Sequence, residues 1–592
     1  WWNAARFGTG VGEFLRLSGI TNLSLRFPYD LCMTDLLLVL SASRVKPIMF
    51  PKTRLCVFDT HINYVRIGKM SNLWIKKYTA VCILLLLSLI VGGCGSDRQE
   101  IPPSPQARPI PEQPPLEEPE PPVPGPDNEK GFYGFDNPRP NYMPGELVDY
   151  IAQSGDILSA LAARFHTSEE EIRLANPQIP PDATTFPAGF PMKIPIYYRS
   201  QWGSSFPILS DALFVNSPAQ IGFSARGFTD RQPGWFKYFT AYTGKENRRG
   251  GEMVEYIAKD YSLSPRLLLA ILEYKTGALT NPRRPENIDA GAALGFVGDN
   301  CLPLSSQLNE LADYLNDMYY SYREGNLLEF ELEDGSLFRI DPWQNAATAA
   351  LQRYFADTET TDGFYRAISP EGFRKTYEQL FGQVFPEQSE NIPGSLRQPE
   401  MLLPFAEGKS WALTGGPHPA WGSGASYAAI DFAPPSESSG CVYSAEWVLA
   451  PAGGIIVRKE TGVAILDLDG DGDERTGWNI LFLHLLTDSI PPAGTVVNTG
   501  DPLGHPSCDG GTSTGTHVHI ARKYNGEWIS AGGVIPIVMD GWTVENGTQP
   551  YLGQMRRFSV TARACDCSDY RSLVHNGPPL VPTSTPTAAP KR

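Results

Sequence analysis

The sequence is poor in charge and has no excess of basic residues. Charged residues make up only 19% of the 592-residue chain, and 65 acidic residues outnumber 49 basic ones, giving a formal net charge of −16. Proteins that bind nucleic acid need a basic surface to contact phosphates, so this balance argues against nucleic acid as a partner. A chain of this length also predicts several domains rather than one core.

Long hydrophobic runs are scarce too. One apolar run (80–91) follows two lysines within MSNLWIKKYTAVCILLLLSLIVGGCGSD, and it is too short to cross a bilayer comfortably but typical of a signal peptide. Residues 1–69 show no coherent pattern, and the chain begins with Trp1 rather than Met. We interpret 1–69 as an upstream extension that does not belong to the mature protein.

The segment after this run suggests a lipid anchor and a spacer. VGGC, ending at Cys94, resembles the lipobox of bacterial lipoproteins, in which the cysteine is lipidated after cleavage. The resemblance implies a lipoprotein signal peptide over 70–94 and an extracytoplasmic, membrane-anchored protein; a plain signal peptide or short anchor is the alternative. Residues 95–144 are rich in proline and predict an extended linker. Residues 577–592 predict a low-complexity tail.

Cysteine is also sparse, with nine residues in the chain and five after Cys94. Export makes disulfides plausible, and the odd number leaves at least one thiol free or paired between molecules. Cys441 and Cys508 are our candidates for a bridge between two loops.

Residues 145–197 predict a small domain of the order strand, helix, helix, strand. A strand leads through Ser154-Gly155-Asp156 into an apolar helix, and Thr167 and Ser168 offer caps for a second helix. The pattern SGD, L..LA.RF, T..EI...NP and IP resembles LysM domains, which bind the N-acetylglucosamine chains of peptidoglycan and chitin. The alternative is a small domain that has lost its ligand.

Residues 206–392 predict a mostly helical domain that resembles, more weakly, lysozymes and lytic transglycosylases. Those enzymes carry a catalytic glutamate followed by serine near the end of a helix, where this chain has Lys275-Thr276. Glu273 is two residues earlier, about 200° around the helix. Because a glycosidase needs an acid to protonate the glycosidic oxygen, we expect a non-catalytic relative, with Glu273 as a displaced catalyst the remaining alternative.

Five of the eight histidines fall between positions 418 and 519. His517 and His519 flank a valine in GTHVHIARKY, and because side chains alternate across a strand they would project from the same face. His484 lies in the apolar stretch WNILFLHLL, and His418 lies thirteen residues before Asp431. Each feature alone is weak, since such histidines are more often incidental or structural than ligands.

Together these residues match the needs of a catalytic zinc site. Zinc takes three protein ligands, commonly imidazole plus a carboxylate, and leaves the fourth position open to water. His418, Asp431 and His519 supply that set. His484 and His517 are candidates for general base and oxyanion stabiliser, since zinc lowers the pKa of its water toward ~7 and a neutral imidazole can complete deprotonation near that pH.

Residues 398–576 resemble the lysostaphin-type zinc endopeptidases, specifically their β-lytic and staphylolysin branch. The motifs that carry the resemblance are GGPH with W.GS and DF, then FLHL and GTHVHIA. That branch has a long loop between the first histidine and the aspartate. The commoner short motif, His-x-x-x-Asp, would place the first histidine four residues before Asp431, where this chain has Tyr427. The resemblance implies the three ligands and two catalytic histidines named above, an antiparallel β-sheet fold with a groove, and glycyl bonds as substrate.

The acidic stretch LDLDGDGDERTGW (466–478) resembles the first half of a calcium loop, but position twelve holds Trp478 rather than glutamate. Structural calcium and an unliganded acidic hairpin turn both stay open. Its carboxylates belong to Asp467, Asp469, Asp471 and Asp473. His505 lies in a turn and is not expected to be a ligand.

The sequence thus predicts a multidomain protein with an α+β LysM domain (βααβ), a mostly α lysozyme-like domain, and an all-β antiparallel-sheet peptidase domain of the duplicated-hybrid-motif type. The predicted function is an exported zinc endopeptidase that cuts peptide cross-links of peptidoglycan while LysM holds the glycan. The main alternative is an inactive wall-binding activator or scaffold for other hydrolases. A glycosidase in the middle domain is a third.

Overall fold

The computed structural model describes residues 139–197, 203–286, 288, 292–296, 302–386, 391–567 and 569–578. The predicted upstream extension, the signal peptide with Cys94, most of the linker and most of the tail lie outside them. Within the described residues, no helix has the length and apolarity to cross a membrane.

The LysM region folds as its sequence predicts. Its two strands, β1 (Glu146–Ile151) and β2 (Pro191–Ile196), pair antiparallel around two helices, α1 (Leu158–Phe165) and α2 (Glu169–Ala175). Helix α2 begins there because Ser168 accepts a hydrogen bond from the Glu171 amide while the Glu171 carboxylate reaches back to the Ser168 amide.

The middle domain is helical, with two small β-hairpins. Its helices are α3 (Asp211–Phe214), α4 (Ala225–Asp230), α5 (Gly250–Tyr261), α6 (Pro265–Thr276), α7 (Leu304–Arg323), α8 (Ala346–Thr358), α9 (Thr361–Ala367) and α10 (Phe373–Phe381). The hairpins are β3 (Thr240–Thr243) with β4 (Glu246–Arg249) and β5 (Glu329–Glu331) with β6 (Leu337–Arg339). Helix α6 begins at Pro265 because Ser264 caps it and proline takes its first position, where no amide partner is needed.

The C-terminal domain is built on an antiparallel sheet. The strands of the main sheet are β7 (Ser410–His418), β8 (Ala429–Ala433), β10 (Gly454–Glu460), β11 (Val463–Asp467), β12 (Trp478–Leu483), β13 (Val496–Val497), β15 (Val518–Tyr524), β16 (Glu527–Trp528) and β21 (Leu573–His575). They pair in the order β13-β10-β11-β12-β15-β8-β7-β21, and β16 pairs with β15 off this path. Smaller sheets join β9 (Val448–Leu449) to β14 (Pro502–Gly504) and link β17 (Val538–Met539), β18 (Trp542–Asn546), β19 (Gly553–Arg557) and β20 (Val560–Arg563).

Both faces of the main sheet are buried, which is unusual for an antiparallel sheet. Along β12, Ile480 and Phe482 point into the core of the C-terminal domain, whereas Leu481 and Leu483 join the core of the helical domain. Strands β8, β11 and β15 alternate in the same way. Residues of this second face, called here the helix-facing side, include Ala429, Val463, Ile465, Leu481, Leu483 and Ala521. The helical domain is therefore a packed second layer on the sheet.

A buried ion pair joins the three domains. Arg323, at the end of α7, donates to both carboxylate oxygens of Glu527 in β16 at 2.9 Å and to the Ser154 carbonyl of the LysM domain at 2.6 Å. The side chains of Arg323 and Glu527 are only 9% and 5% exposed. The LysM domain is further held by the hydroxyl of Ser154, which accepts from the amides of Asn391 and Ile392. The described residues of all three domains thus form one packed body.

Candidate metal centre

Three strands bring the predicted metal ligands together. His418 is the last residue of β7, Asp431 lies in the middle of β8, and His519 is the second residue of β15. The register places Asp431 directly opposite His519, and both side chains project from the helix-facing side. All three residues are buried.

The three ligand atoms lie at the spacing that a tetrahedral ion requires. Asp431 Oδ1 is 3.3 Å from His418 Nε2 and 3.3 Å from His519 Nδ1, and the two nitrogens are 2.9 Å apart. An ion with zinc–ligand distances of ~2.0–2.1 Å in tetrahedral geometry separates its ligand atoms by about 3.4 Å. The three atoms therefore surround one point at the right distance for such an ion.

Backbone carbonyls fix the tautomer of each imidazole. His418 Nδ1 donates to the Gly416 carbonyl at 2.8 Å, which leaves the lone pair on Nε2. His519 Nε2 donates to the Ala420 carbonyl at 3.0 Å, which leaves the lone pair on Nδ1. Metal-binding histidines are oriented by such outer hydrogen bonds, so both lone pairs point toward the shared centre.

The aspartate completes a donor set that fits a cation. Its Oδ1 atom is buried and receives no hydrogen bond from any described residue. Burial opposes the charged form of this carboxyl, and the pKa of Asp431 is held well below its usual value only by positive charge on His418 and His519, which a bound cation would supply in place of their protons. An ionised oxygen left unpaired between two nitrogen lone pairs is costly unless a positive charge balances it. These residues therefore fit a divalent metal, and two imidazoles with one carboxylate suit zinc.

The two other predicted histidines stand beside this centre. The ring centroids of His484 and His517 are 4.6 Å apart, and His517 Nε2 is 3.8 Å from Asp431 Oδ1. His484 Nδ1 donates to the Asp509 carbonyl at 3.1 Å, and His517 Nδ1 donates to the Gly515 carbonyl at 2.8 Å. Burial, with the neighbouring histidines, lowers the pKa of His484 to about 4, so it is neutral near pH 7.

Two details of the strand prediction are corrected. His484 is not inside its apolar strand but directly after it, at φ 64°, and His517 immediately precedes β15 instead of lying within it. The positive φ lets His484 turn back toward the centre, which a straight strand would not allow. Tyr427, at the short-spaced position, lies in the loop before β8.

The sequence analysis missed Tyr551. Its ring stacks on His418 with centroids 4.2 Å apart, and the phenol is 52% exposed. Burial and the nearby charge of Asp431 raise the pKa of Tyr551, so the hydroxyl stays protonated and can donate at neutral pH. No motif in the sequence marks this residue, because a loop from a separate small sheet brings it to the site.

The acidic stretch brings three of its four aspartates close together. Carboxylate oxygens of Asp467, Asp469 and Asp471 lie within 4.8 Å of one another, but Asp473 forms an ion pair with Arg475.

His505 lies away from the metal centre. Its ring packs against Trp447 and its Nδ1 donates to the Glu446 carbonyl. The structure pairs Cys441 with Cys508, with Cα atoms 5.8 Å apart, and also pairs Cys565 with Cys567.

Comparison with known proteins supports this organisation. The LysM domain family matches residues 150–195, and the family described as "LasA, N-terminal domain" matches residues 207–393. Protease LasA of Pseudomonas aeruginosa is 26% identical over 358 residues, which cover 56% of this chain and 79% of LasA. The β-lytic metalloendopeptidase of Lysobacter enzymogenes is 27% identical over 170 residues, covering 27% of this chain and 88% of that enzyme.

Solved structures of M23 peptidases are also similar to part of this chain. Among solved structures, the M23 metalloprotease pseudoalterin is 25% identical and covers 28% of this chain and 96% of its own, with a TM-score of 0.25. The catalytic domain of lysostaphin from Staphylococcus simulans is 21% identical, covers 21% of this chain and 88% of its own, and has a TM-score of 0.15.

The middle domain is similar to a different family from the one predicted. The family match over residues 207–393 is to the LasA N-terminal domain. The lysozyme likeness stays a prediction. Lys275 forms an ion pair with Glu359, and Glu273 accepts from the Leu279 amide at 2.6 Å and from Thr280. Glu273 therefore closes the turn after α6.

Proposed function

We propose that this chain is an exported zinc endopeptidase that cleaves peptide cross-links of peptidoglycan. The observation that carries the proposal is the buried set His418, Asp431 and His519, whose ligand atoms are spaced for one tetrahedral ion beside two oriented histidines. The similarity to enzymes named protease and metalloendopeptidase supports the reaction class. The LysM match supports a peptidoglycan substrate.

The chain's own residues would bind the metal, take up a proton and stabilise charge. When bound, zinc supplies Lewis-acid polarisation of the scissile carbonyl and acidifies a water. His484 and His517 each donate through Nδ1 to a backbone carbonyl, so each presents an Nε2 lone pair that can accept a proton. The protonated hydroxyl of Tyr551 is available to donate to the developing oxyanion.

We further propose that Cys94 anchors the chain to a membrane and that the LysM domain holds glycan. The lipobox resemblance supports the anchor, and the linker of 95–144 would separate it from the folded body. Because the LysM domain is packed on the rest through Arg323, glycan binding would present the wall to the peptidase in a fixed orientation.

The decisive experiment compares the whole chain with His517→Ala and His418→Ala on purified peptidoglycan. We expect new amino termini from the parent and none from either variant, zinc near one per chain in the parent and in His517→Ala, and no zinc in His418→Ala. Peptide cleavage retained in His418→Ala would refute the proposal.

The same assay addresses the two rival functions. New reducing ends would indicate a glycosidase in the middle domain, and neither product, with glycan binding intact, would indicate a wall-binding scaffold. The complete donor set argues against the scaffold, because a protein that had lost activity has no need to keep three aligned ligands.

A further inference from the structure

The loop between the first two ligands also orients the third. Residues 419–428, called here the ligand loop, connect His418 at the end of β7 to the start of β8. The carbonyl of Ala420, which is buried within this loop, accepts the Nε2 proton of His519. The position of the ligand loop therefore decides which way the His519 lone pair points.

The helical domain holds this loop through two carboxylates. Asp313 accepts hydrogen bonds from the amide of Ser423 at 2.9 Å and from its hydroxyl, and Asp317 accepts from the amide of Ala425 at 2.9 Å. The Gly424 amide also faces Asp313 at 3.4 Å. Asp313 and Asp317 are four residues apart on α7, so they share one face of that helix. Hydrogen bonds to charged acceptors are stronger than neutral ones.

The loop fits closely against this helix face. A Cβ atom at Gly422 would lie 2.0 Å from Asp313 Oδ1, and one at Gly424 would lie 2.5 Å from the Asp317 side chain. Gly422 also has a φ of 74°, which favours glycine. The indole of Trp421 packs against the core of the helical domain. The absence of side chains at Gly422 and Gly424 lets the ligand loop lie close to α7, and Trp421 adds an apolar contact to the hydrogen bonds from Asp313 and Asp317.

We propose that Asp313 and Asp317 are positioning residues for the metal centre, acting from a domain that supplies none of its ligands. They hold the ligand loop, the loop places the Ala420 carbonyl, and that carbonyl fixes the imidazole of His519. Metal affinity then depends on the helical domain as well as on the sheet. This inference rests on the proposed metal site.

The test uses the whole chain and measures zinc affinity by competition with a chromophoric chelator, together with the visible spectrum of the Co²⁺-substituted protein. Loss of an outer hydrogen-bond partner typically costs ~10–100-fold in metal affinity. We expect a loss of about that size for Asp313→Ala/Asp317→Ala, with an altered Co²⁺ spectrum. The pair Asp313→Asn/Asp317→Asn keeps an acceptor oxygen at each position and should recover most of the affinity.

Glu310→Gln is the matched control. Glu310 is an exposed acid on α7, and Glu310→Gln, like the aspartate substitutions, removes negative charge from this helix. Parental affinity in the folded double alanine variant, or an equal loss in Glu310→Gln, would overturn the positioning role. If the double alanine variant fails to fold, the zinc affinities of Asp317→Ala and Asp317→Asn are compared instead. A loss in Asp317→Ala that Asp317→Asn recovers supports the positioning role, and parental affinity in Asp317→Ala overturns it. A parent chain that binds no zinc would refute the proposed function, whereas tight binding in both parent and variants refutes only this inference.

Discussion

Removing one partner of the ion pair between Arg323 and Glu527 should strongly destabilise the folded body. Arg323 makes two bonds of 2.9 Å to Glu527 and one of 2.6 Å to the Ser154 carbonyl, and both charged side chains are less than a tenth exposed. Arg323→Met would remove the guanidinium that balances the buried Glu527 carboxylate, leaving it the Asn391 amide as a donor, and would remove the donor to the Ser154 carbonyl. Breaking a buried pair in this way typically costs ~3–5 kcal/mol.

A double variant separates the loss of the ion pair from the loss of the packing around Arg323. Burial already raises the pKa of Glu527, and Arg323 opposes that rise. Without the guanidinium the carboxyl is expected to take up a proton in the folded state, so Arg323→Met should lose more stability at pH 8 than at pH 5. Arg323→Met/Glu527→Gln should recover part of the loss, because no buried charge remains.

Urea unfolding of the parent, both single variants and the double variant at the two pH values checks this expectation. A cost below about 1 kcal/mol for Arg323→Met, or equal costs at pH 5 and pH 8, would refute the reasoning. Limited proteolysis of the same variants would show whether the LysM domain separates first, as the lost bond to Ser154 predicts.

Three further predictions follow from the site and its surroundings. Tyr551→Phe keeps the ring stacked on His418 but removes the hydroxyl, so zinc content should be unchanged while kcat falls ~10²–10³-fold; unaltered kcat would exclude the oxyanion role. Burial raises the pKa of Glu324 to about 7, so ionisation costs stability increasingly as the pH rises from the unfolded-state value of ~4.3 toward 7. Glu324→Gln should therefore raise Tm at pH 8 but not at pH 4, with a gain on the order of 1 kcal/mol after allowing for partial exposure; equal Tm changes at both pH values would contradict it. The isolated fragment 398–576 should aggregate, because it exposes the helix-facing side of its sheet, whereas 203–578 should stay soluble; a monomeric fragment in light scattering would count against the second layer.

The organisation into domains was readable because each domain follows a local pattern. LysM was predicted from strand, cap and helix signals that lie within about fifty residues, and the structure and the family match confirm it. The antiparallel sheet of the C-terminal domain was likewise predicted from its motifs. The middle domain was predicted as mostly helical, but the sequence pattern did not indicate its similarity to the N-terminal domain of LasA.

The packing of the helical domain on the sheet was missed, although the sequence held a signal for it. Stretches such as VAILDL and NILFLHLL are apolar at consecutive positions, and such runs indicate strands buried on both faces. Only the second of these stretches was interpreted, as the setting of His484. The second layer needs contacts between residues more than a hundred positions apart, which no local pattern encodes.

For the site, the sequence by itself predicted the candidate ligands and their order along the chain, because metal chemistry restricts donors to a few residue types. Strand alternation predicted in addition that His517 and His519 share one face. Only the tertiary structure decided the rest. It set the 3.3 Å spacing of the ligand atoms, turned His484 inward, stacked Tyr551 on His418, and placed the carboxylates of α7 on the ligand loop. These features depend on how separate chain segments approach one another, and that approach is fixed by packing rather than by any single stretch of residues.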